Sequence, residues 1–430
     1  MTNRQETGDG RREAAWAPPP ASRLSFLALF LSLAACAHPQ PLTLGGEPEL
    51  RIGLNTGLTL VRLGGDGELF LADDANGKPV GAIPAGVTWS LIPDSGGGLV
   101  LVKPGGSRTE RHLGLSAVNV TEGRFAMVNG RRYRGRLNVY RTTAGLTVMN
   151  RVPLEGYVAG VLGQEMGPRR DDERQALLAQ TIVSRTFAVR NRGRWESEGF
   201  DAWADTRDQV YPGVAGESPQ AWEAVRATAG QVIEYHGAVI DAYFHSTCGG
   251  KTAAPEEAFR TVARPSYLKP VSDASGGGHS YCDISPRWQW REEWDGQTLR
   301  TILTRTLAQV MTVPGDGLPP ITGVEVAHTT ESGRVDELRI VFSHGDVRVG
   351  AADVRSVLRP QPDRLLQSTV FSVDVSKTGG VVSRLVVEGH GSGHGVGMCQ
   401  WGAIGRARAG QNYEKILSTY YPGTTVERLY

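Results

Sequence analysis

Cysteine, aromatic residues and net charge are all scarce in this chain. Only four Cys occur in 430 residues, at positions 36, 248, 282 and 399. Formal charge is nearly balanced at +1, so nothing in the composition points to nucleic acid as a partner. Aromatics make up 7% against 55 glycines, which favours a loop-rich α+β or β-rich protein over a helical bundle. No apolar run is long enough for a mature transmembrane helix. Internal repeats and coiled-coil heptads are also lacking. The glycine-rich Ser275–Gly278 has no strand-turn-helix context and no following Lys, which excludes a phosphate cradle there. What remains is a chain long enough for two or three domains with a sizeable core.

The first 36 residues read as a lipoprotein signal peptide. Arg23 precedes the short apolar run Leu24–Ala35, too brief for a stable bilayer span, and the run ends in Leu33-Ala-Ala-Cys36. Small residues before the Cys suit a signal peptidase, and its thiol can accept a diacylglycerol anchor. An ordinary secretory signal with a chance Cys is the alternative, and export follows from both. The mixed-charge stretch Met1–Ala21 is a poor leader, as an upstream start site would explain. Ala37 is not the Asp that retains some lipoproteins at the inner membrane, so in a Gram-negative cell the expected place is the outer membrane or periplasm. With Cys36 lipidated, an odd number of thiols is left, and they cannot all pair as disulfides.

Residues 37–145 read as a β-rich module. Leu50–Leu54, Leu58–Leu63 and Leu99–Val102 alternate with Gly/Asp/Asn turns, and Asn129-Gly130 predicts a hairpin. From 146 the texture becomes mixed α/β, through to 430. Asp171 or Asp172 caps a predicted helix reaching about Arg190, with Leu178, Ile182 and Val189 on one face. A second helix is expected over Pro219–Thr228, and a hairpin turning at His236-Gly237 follows. Residues 297–380 read as a β-rich insertion with a helix near Leu299–Val310. The fold class is therefore α+β.

Glu165 is the leading chemical candidate. It stands in a Gly/Pro-flanked stretch beside apolar residues, where partial desolvation raises a carboxyl pKa and suits it to general-acid work. The competing reading is a helix cap or a salt bridge. Glu155, in a turn-rich stretch, reads as structural.

Four segments in order carry a resemblance to a known family: Val152–Pro168 with the helix after it, Asp205-Thr-Arg-Asp-Gln-Val-Tyr211, Ala242–Gly250 and Gly393–Ala403 continuing to Tyr420-Tyr-Pro-Gly423. Together they resemble the stage II sporulation protein D and amidase-enhancer (SpoIID/LytB) family, over about two-thirds of the chain. The resemblance implies an exported lytic transglycosylase acting on peptidoglycan glycan strands that lack stem peptides. Glu165 would act as both acid and base, leaving 1,6-anhydro-N-acetylmuramic acid ends. Its rival is a non-catalytic wall-binding enhancer of a cell-wall amidase. Expected partners are therefore glycan strands, possible amidase contact, and the membrane through the lipid. The usual Glu-Met-Pro becomes Glu165-Met166-Gly167-Pro168 here, a more flexible bend that could re-aim the acid.

Within the matched segments, Arg185, Gln209, Tyr211, Ser246, His394, Gln400 and Trp401 are expected to bind substrate. An aromatic face stacks on a sugar ring and an amide bonds an N-acetyl group. His394 either polarises a hydroxyl, holds Glu165, or is a satisfied buried His. His245-Ser-Thr-Cys248 recurs in form as His279-Ser-Tyr-Cys282, two imidazoles and two thiols suited to a four-coordinate Zn²⁺. The resemblance supports metal at these four positions, with a Cys248–Cys282 disulfide as the alternative. Cys399, where the family often has Ser, reads as a small buried residue.

Overall fold

The computed structural model describes residues 45–261, 263–313 and 317–430, so the signal-peptide and Cys36 readings lie outside the described residues. The fold is α+β, with many strands in several sheets and helices packed against them. In the N-terminal part a seven-stranded and a five-stranded sheet share one apolar core, which includes Leu50, Leu63, Leu91, Leu101, Leu137 and Val148. The Asn129-Gly130 turn forms as expected, both residues at positive φ (50° and 82°) between Ala126–Val128 and Arg131–Tyr133. Such a two-residue connection matches the strand twist.

Strand Gly145–Pro153 of the larger sheet runs straight into α1 (Leu154–Glu165), with Pro153 at the cap position. This helix lies in a stretch whose composition suggested only turns. Every residue from Gly156 to Leu162 is buried, so no polar face marks it in the sequence. Its glycines permit a close crossing with residues 213–216. A Cβ on Gly163 would stand 2.3 Å from the Gly216 carbonyl oxygen. The sheet thus delivers α1, and α1 delivers Glu165 at its C-terminal end.

Next, α2 (Arg174–Arg190) follows a 3₁₀ turn at Asp171–Glu173, and α3 (Pro219–Ala227) is capped by the Ser218 hydroxyl. The hairpin at His236-Gly237 is also present, with φ of 52° and 76°. A second part of the fold, with its own apolar core, holds α4 (Gly296–Thr306), α5 (Ala351–Val357) and two three-stranded sheets. The chain then returns to the first part with α6 (Gln400–Arg408) and α7 (Tyr413–Tyr420). These pack on α2 in a core that includes Ile182, Val183, Ala403, Ile404 and Leu417. Arg408 on α6 donates to Glu173 at 3.0 Å, tying the end of α6 to the start of α2.

The crossing predicts a steep penalty for one methyl group. Gly163→Ala is expected to lower unfolding stability by about 2–4 kcal/mol, since both sides of the clash are backbone. Denaturant titration would measure it, and a loss under about 0.5 kcal/mol would show that the crossing relaxes freely.

Candidate active site

Glu165 is half-buried in the floor of a groove of about 470 Å³. One side of the groove is aromatic. Tyr243 and Phe259 lie 5.2 Å apart between ring centres, and Phe259 lies 5.1 Å from the His394 ring. Phe244 and Phe187 continue this lining, and Arg194, Arg207 and Asp208 form the polar side. A larger cavity of about 710 Å³, around Trp290, Phe371 and His390, shares no lining residue with this groove.

Among the described residues, Gln400 is the side chain that hydrogen-bonds Glu165, its Nε2 donating to Oε2 at 3.2 Å. The same Nε2 lies 3.4 Å from Gln180 Oε1. Burial raises the Glu165 pKa to about 7, and the Gln400 bond opposes this only in part. An uncharged donor keeps the group polar without fixing it as the anion. The other carboxylate of the groove, Asp208, is fully committed: Arg194 (3.2 Å), Trp195 Nε1 (2.7 Å) and the Trp203 backbone N–H (2.8 Å) all donate to it.

Several expected substrate contacts are placed elsewhere. Arg185 is wholly buried and donates to Glu155 at 2.6 Å and to the Gln231 carbonyl at 3.1 Å. Glu155 also accepts from the Gly230 backbone and the Tyr430 hydroxyl, which makes this pair a structural clamp. Gln209 and Tyr211 are buried too. Tyr157 donates to Gln209 at 3.3 Å, and the Tyr211 hydroxyl donates to Asn150 at 3.0 Å. Sequence position alone could not separate these inward-facing residues from a groove lining. Ser246 bonds Thr247 at 3.3 Å, and its carbonyl accepts from the Trp401 backbone, so it supports the start of α6. Trp401 stacks against Arg169, 5.7 Å from the ring centre. His394 lines the groove, its Nδ1 accepting from Val396 N at 3.1 Å. Burial lowers its pKa to about 3, so the ring is neutral and Gln400, not His394, holds Glu165.

The thiols gather in an arrangement the sequence only half revealed. Cys248, Cys282, Cys399 and Asp273, all fully buried, have ligand atoms within 4.8 Å of one another. The Cys248 and Cys282 sulfurs are 3.4 Å apart, well beyond a bonded disulfide. His279 is not among them: it is exposed and pairs with Asp283 at 3.0 Å. Nor is His245, whose Nδ1 faces the Val396 carbonyl at 3.1 Å. Cys399 and Asp273 take their places, and Asp273 carried no sequence signal. Three sulfurs and a carboxylate form a donor set that could hold a metal ion. Arg406 (3.1 Å) and Tyr420 (2.7 Å) both donate to Asp273 Oδ1, while Oδ2 faces Cys248. Orienting bonds of this kind commonly support a ligating carboxylate. Hydrogen bonds from Cys248 and Cys399 hold the Cys282 thiol well below its ordinary pKa, and burial pushes theirs up. The cluster adjoins the acid directly, because Cys399 is the cap of α6 and Gln400 its first residue.

Comparison with known proteins places the chain in a family. A family model described as Stage II sporulation protein matches residues 142–235, and one for a domain of unknown function (DUF8618) matches 279–397. Stage II sporulation protein D of Bacillus subtilis is 30% identical over 67% of this chain and 78% of its own length. The chain belongs to the SpoIID/LytB family. An uncharacterized protein of Brachyspira hyodysenteriae is 31% identical, covering 70% of this chain and 73% of that one. The Amidase enhancer of Bacillus subtilis is 28% identical over 59% of this chain but only 38% of its own length.

Burial of Glu165 sets the direction of its effect on stability. Its folded pKa of about 7 exceeds the ordinary 4.5, so its contribution is intact below pH 4.5 and is lost as pH rises through 7. Glu165→Gln is therefore expected to gain ~1–2 kcal/mol over the wild type at pH 8, after allowance for its partial exposure, and nothing near pH 4.5. Denaturant titrations at the two pH values measure the difference; equal effects at both would contradict a protonated Glu165.

Proposed function

We propose that this protein is an envelope lytic transglycosylase that cleaves the β-1,4 link between N-acetylmuramic acid and N-acetylglucosamine in strands lacking stem peptides. The observation that carries this reading is a protonatable, cation-free Glu165 on the floor of an aromatic-lined groove whose other carboxylate is locked away. Two working carboxylates are the usual requirement of glycoside hydrolysis. One suffices for intramolecular transfer. Glu165 donates its proton to the bridging oxygen as the bond from muramoyl C1 breaks. The muramoyl C6 hydroxyl oxygen then bonds to C1, and its proton returns to the Glu165 carboxylate. Water is not consumed, and the acid is regenerated.

Other residues serve binding and placement. The Tyr243, Phe244 and Phe259 faces suit the apolar sides of sugar rings. Gln400 holds the carboxyl in both protonation states, because an amide donor serves the anion without requiring it. For the Cys248, Asp273, Cys282 and Cys399 cluster we propose Zn²⁺, which favours thiolate-rich four-coordinate sites. When bound, it would supply a structural crosslink that fixes the cap of α6. The name Amidase enhancer on one relative favours a second reading, glycan binding without cleavage in support of an amidase.

Denuded peptidoglycan incubated with the protein is expected to yield anhydromuramoyl ends by mass spectrometry. Activity should decline as pH rises past about 7, where the acid loses its proton. Glu165→Gln should lower the rate at least 1,000-fold, the scale of removing an essential acid and base. Reducing muramoyl ends would exclude the mechanism, and uncleaved glycan that is nonetheless bound would establish the enhancer reading. For the metal, elemental analysis is expected to give one zinc per chain, and Cys282→Ala should lose it. Zinc-free wild type with a Cys248–Cys282 bond would refute that assignment.

A further inference from the structure

A guanidinium without a carboxylate lies beside the groove. Arg355 of α5 lines a pocket of about 180 Å³ together with Phe259, Ser356, Leu365, Thr369 and His394. Phe259 and His394 line the Glu165 groove as well, so the two spaces adjoin at these side chains. Arg355 comes from the second part of the fold, the part matched as a domain of unknown function.

Among the described residues, Arg355 Nε donates to the Leu366 carbonyl at 2.7 Å, and no carboxylate forms an ion pair with the guanidinium. The nearby acids are engaged. Asp353 pairs with Arg260 at 2.7 Å, and Glu257 accepts from the hydroxyls of Thr330 (2.6 Å) and Ser332. Nothing acidic lines the pocket. A second cation is nearby: Arg334 is 1% exposed and donates through its two terminal nitrogens to the carbonyls of Cys248 (2.8 Å) and Lys251 (3.1 Å), with no acid paired to it among the described residues. Burial, and then Arg334, lower the Arg355 pKa to about 10, which still leaves it charged at neutral pH. A half-buried cation without a counter-ion is costly, and an incoming anion relieves that cost.

We infer that Arg355 forms a carboxylate subsite that reads the free lactyl group of a stem-peptide-free muramoyl residue lying beyond the cleavage position. This rests on the glycan-strand reading above and gives it a physical basis for substrate choice. A lactyl carboxylate offers two oxygens to the guanidinium fork. A peptide-bearing residue has an uncharged amide at that place and a chain too large for the pocket. The second part of the fold is thereby a specificity element, and Arg355 is a binding residue with no role in proton transfer.

Binding in the Glu165→Gln background separates recognition from cleavage. The probes are denuded muramoyl-glucosaminyl strands and chito-oligosaccharides of equal length, which have the same backbone and no carboxylate. The denuded strand is expected to bind about tenfold more tightly, with the preference shrinking as salt rises. Added Arg355→Gln should weaken binding of the denuded strand about tenfold and leave chito-oligosaccharide affinity unchanged, while Arg355→Lys should restore part of the preference. Equal affinity of the parent for both probes would overturn the subsite alone and does not need the Arg355 variant to fold. Equal loss for both probes in Arg355→Gln would also overturn it, showing a structural role. Failure of the parent to bind either glycan would overturn the glycan-strand reading, and the subsite with it.

Discussion

The desolvation of one carboxyl group is the constraint on which the rest of this site depends. Burial disfavours the Glu165 anion and raises its pKa to about 7, and among the described residues no cation pairs with it to reverse this. That condition is demanding, since several buried or part-buried carboxylates among the described residues are paired with Arg. Glu155 with Arg185, Asp201 with Arg51 and Asp273 with Arg406 all follow the usual pattern. The groove has its own arginines, Arg194 and Arg207, but each is held by an Asp. Holding those cations elsewhere is as much a part of the acid's environment as the burial itself.

Position then follows from two helices whose ends are joined at the carboxyl by the Gln400–Glu165 hydrogen bond. One is α1, fixed by the strand before it and by the glycine crossing at residues 213–216. The other is α6, whose first residue supplies the Gln400 amide and whose cap is Cys399. The Cys399 sulfur accepts from the backbone N–H groups of Gly402 and Cys248, both at 3.2 Å. Any ion held by the cysteine cluster would therefore grip the end of α6 that touches the acid. The cysteine cluster and Glu165 are connected through this helix terminus, although the cluster does not line the groove.

Legibility in the sequence tracked how local each signal was. The Ser218 cap of α3 and the positive-φ turns at Asn129-Gly130 and His236-Gly237 are read over a few positions, whereas α2 begins after a 3₁₀ turn with no side-chain cap from Asp171 or Asp172. Helix α1 was hidden because all-round burial erases the amphipathic pattern. The same limit explains the site. Glu165, His394 and Gln400 lie in motif-dense segments and do meet at the groove or its floor. Arg185, Gln209 and Tyr211 lie in similar segments and face inward, a difference of side-chain direction that a linear motif does not contain. The His-x-x-Cys repeat suggested ligands by spacing, yet Asp273 and Cys399 join the cysteines through tertiary packing. Phe259 and Arg355, brought in from separate loops and helices, had no local mark at all.

Gly167 bears on whether the acid is correctly aimed, since a glycine between Met166 and Pro168 gives the chain unusual freedom just past it. The backbone limits that freedom. Met166 N–H bonds the Leu162 carbonyl at 3.0 Å and Gly167 N–H bonds the Gly163 carbonyl at 3.1 Å, so the helical ladder closes before the glycine turns left-handed at φ 62°. Glycine is the residue that adopts this conformation at least cost, and it is the normal way to end a helix. The extra residue thus lengthens the exit from α1 without loosening Glu165, which stays on the last helical turn with its Gln400 bond intact. The feature that best suited a non-catalytic relative is, in this fold, compatible with a fixed acid.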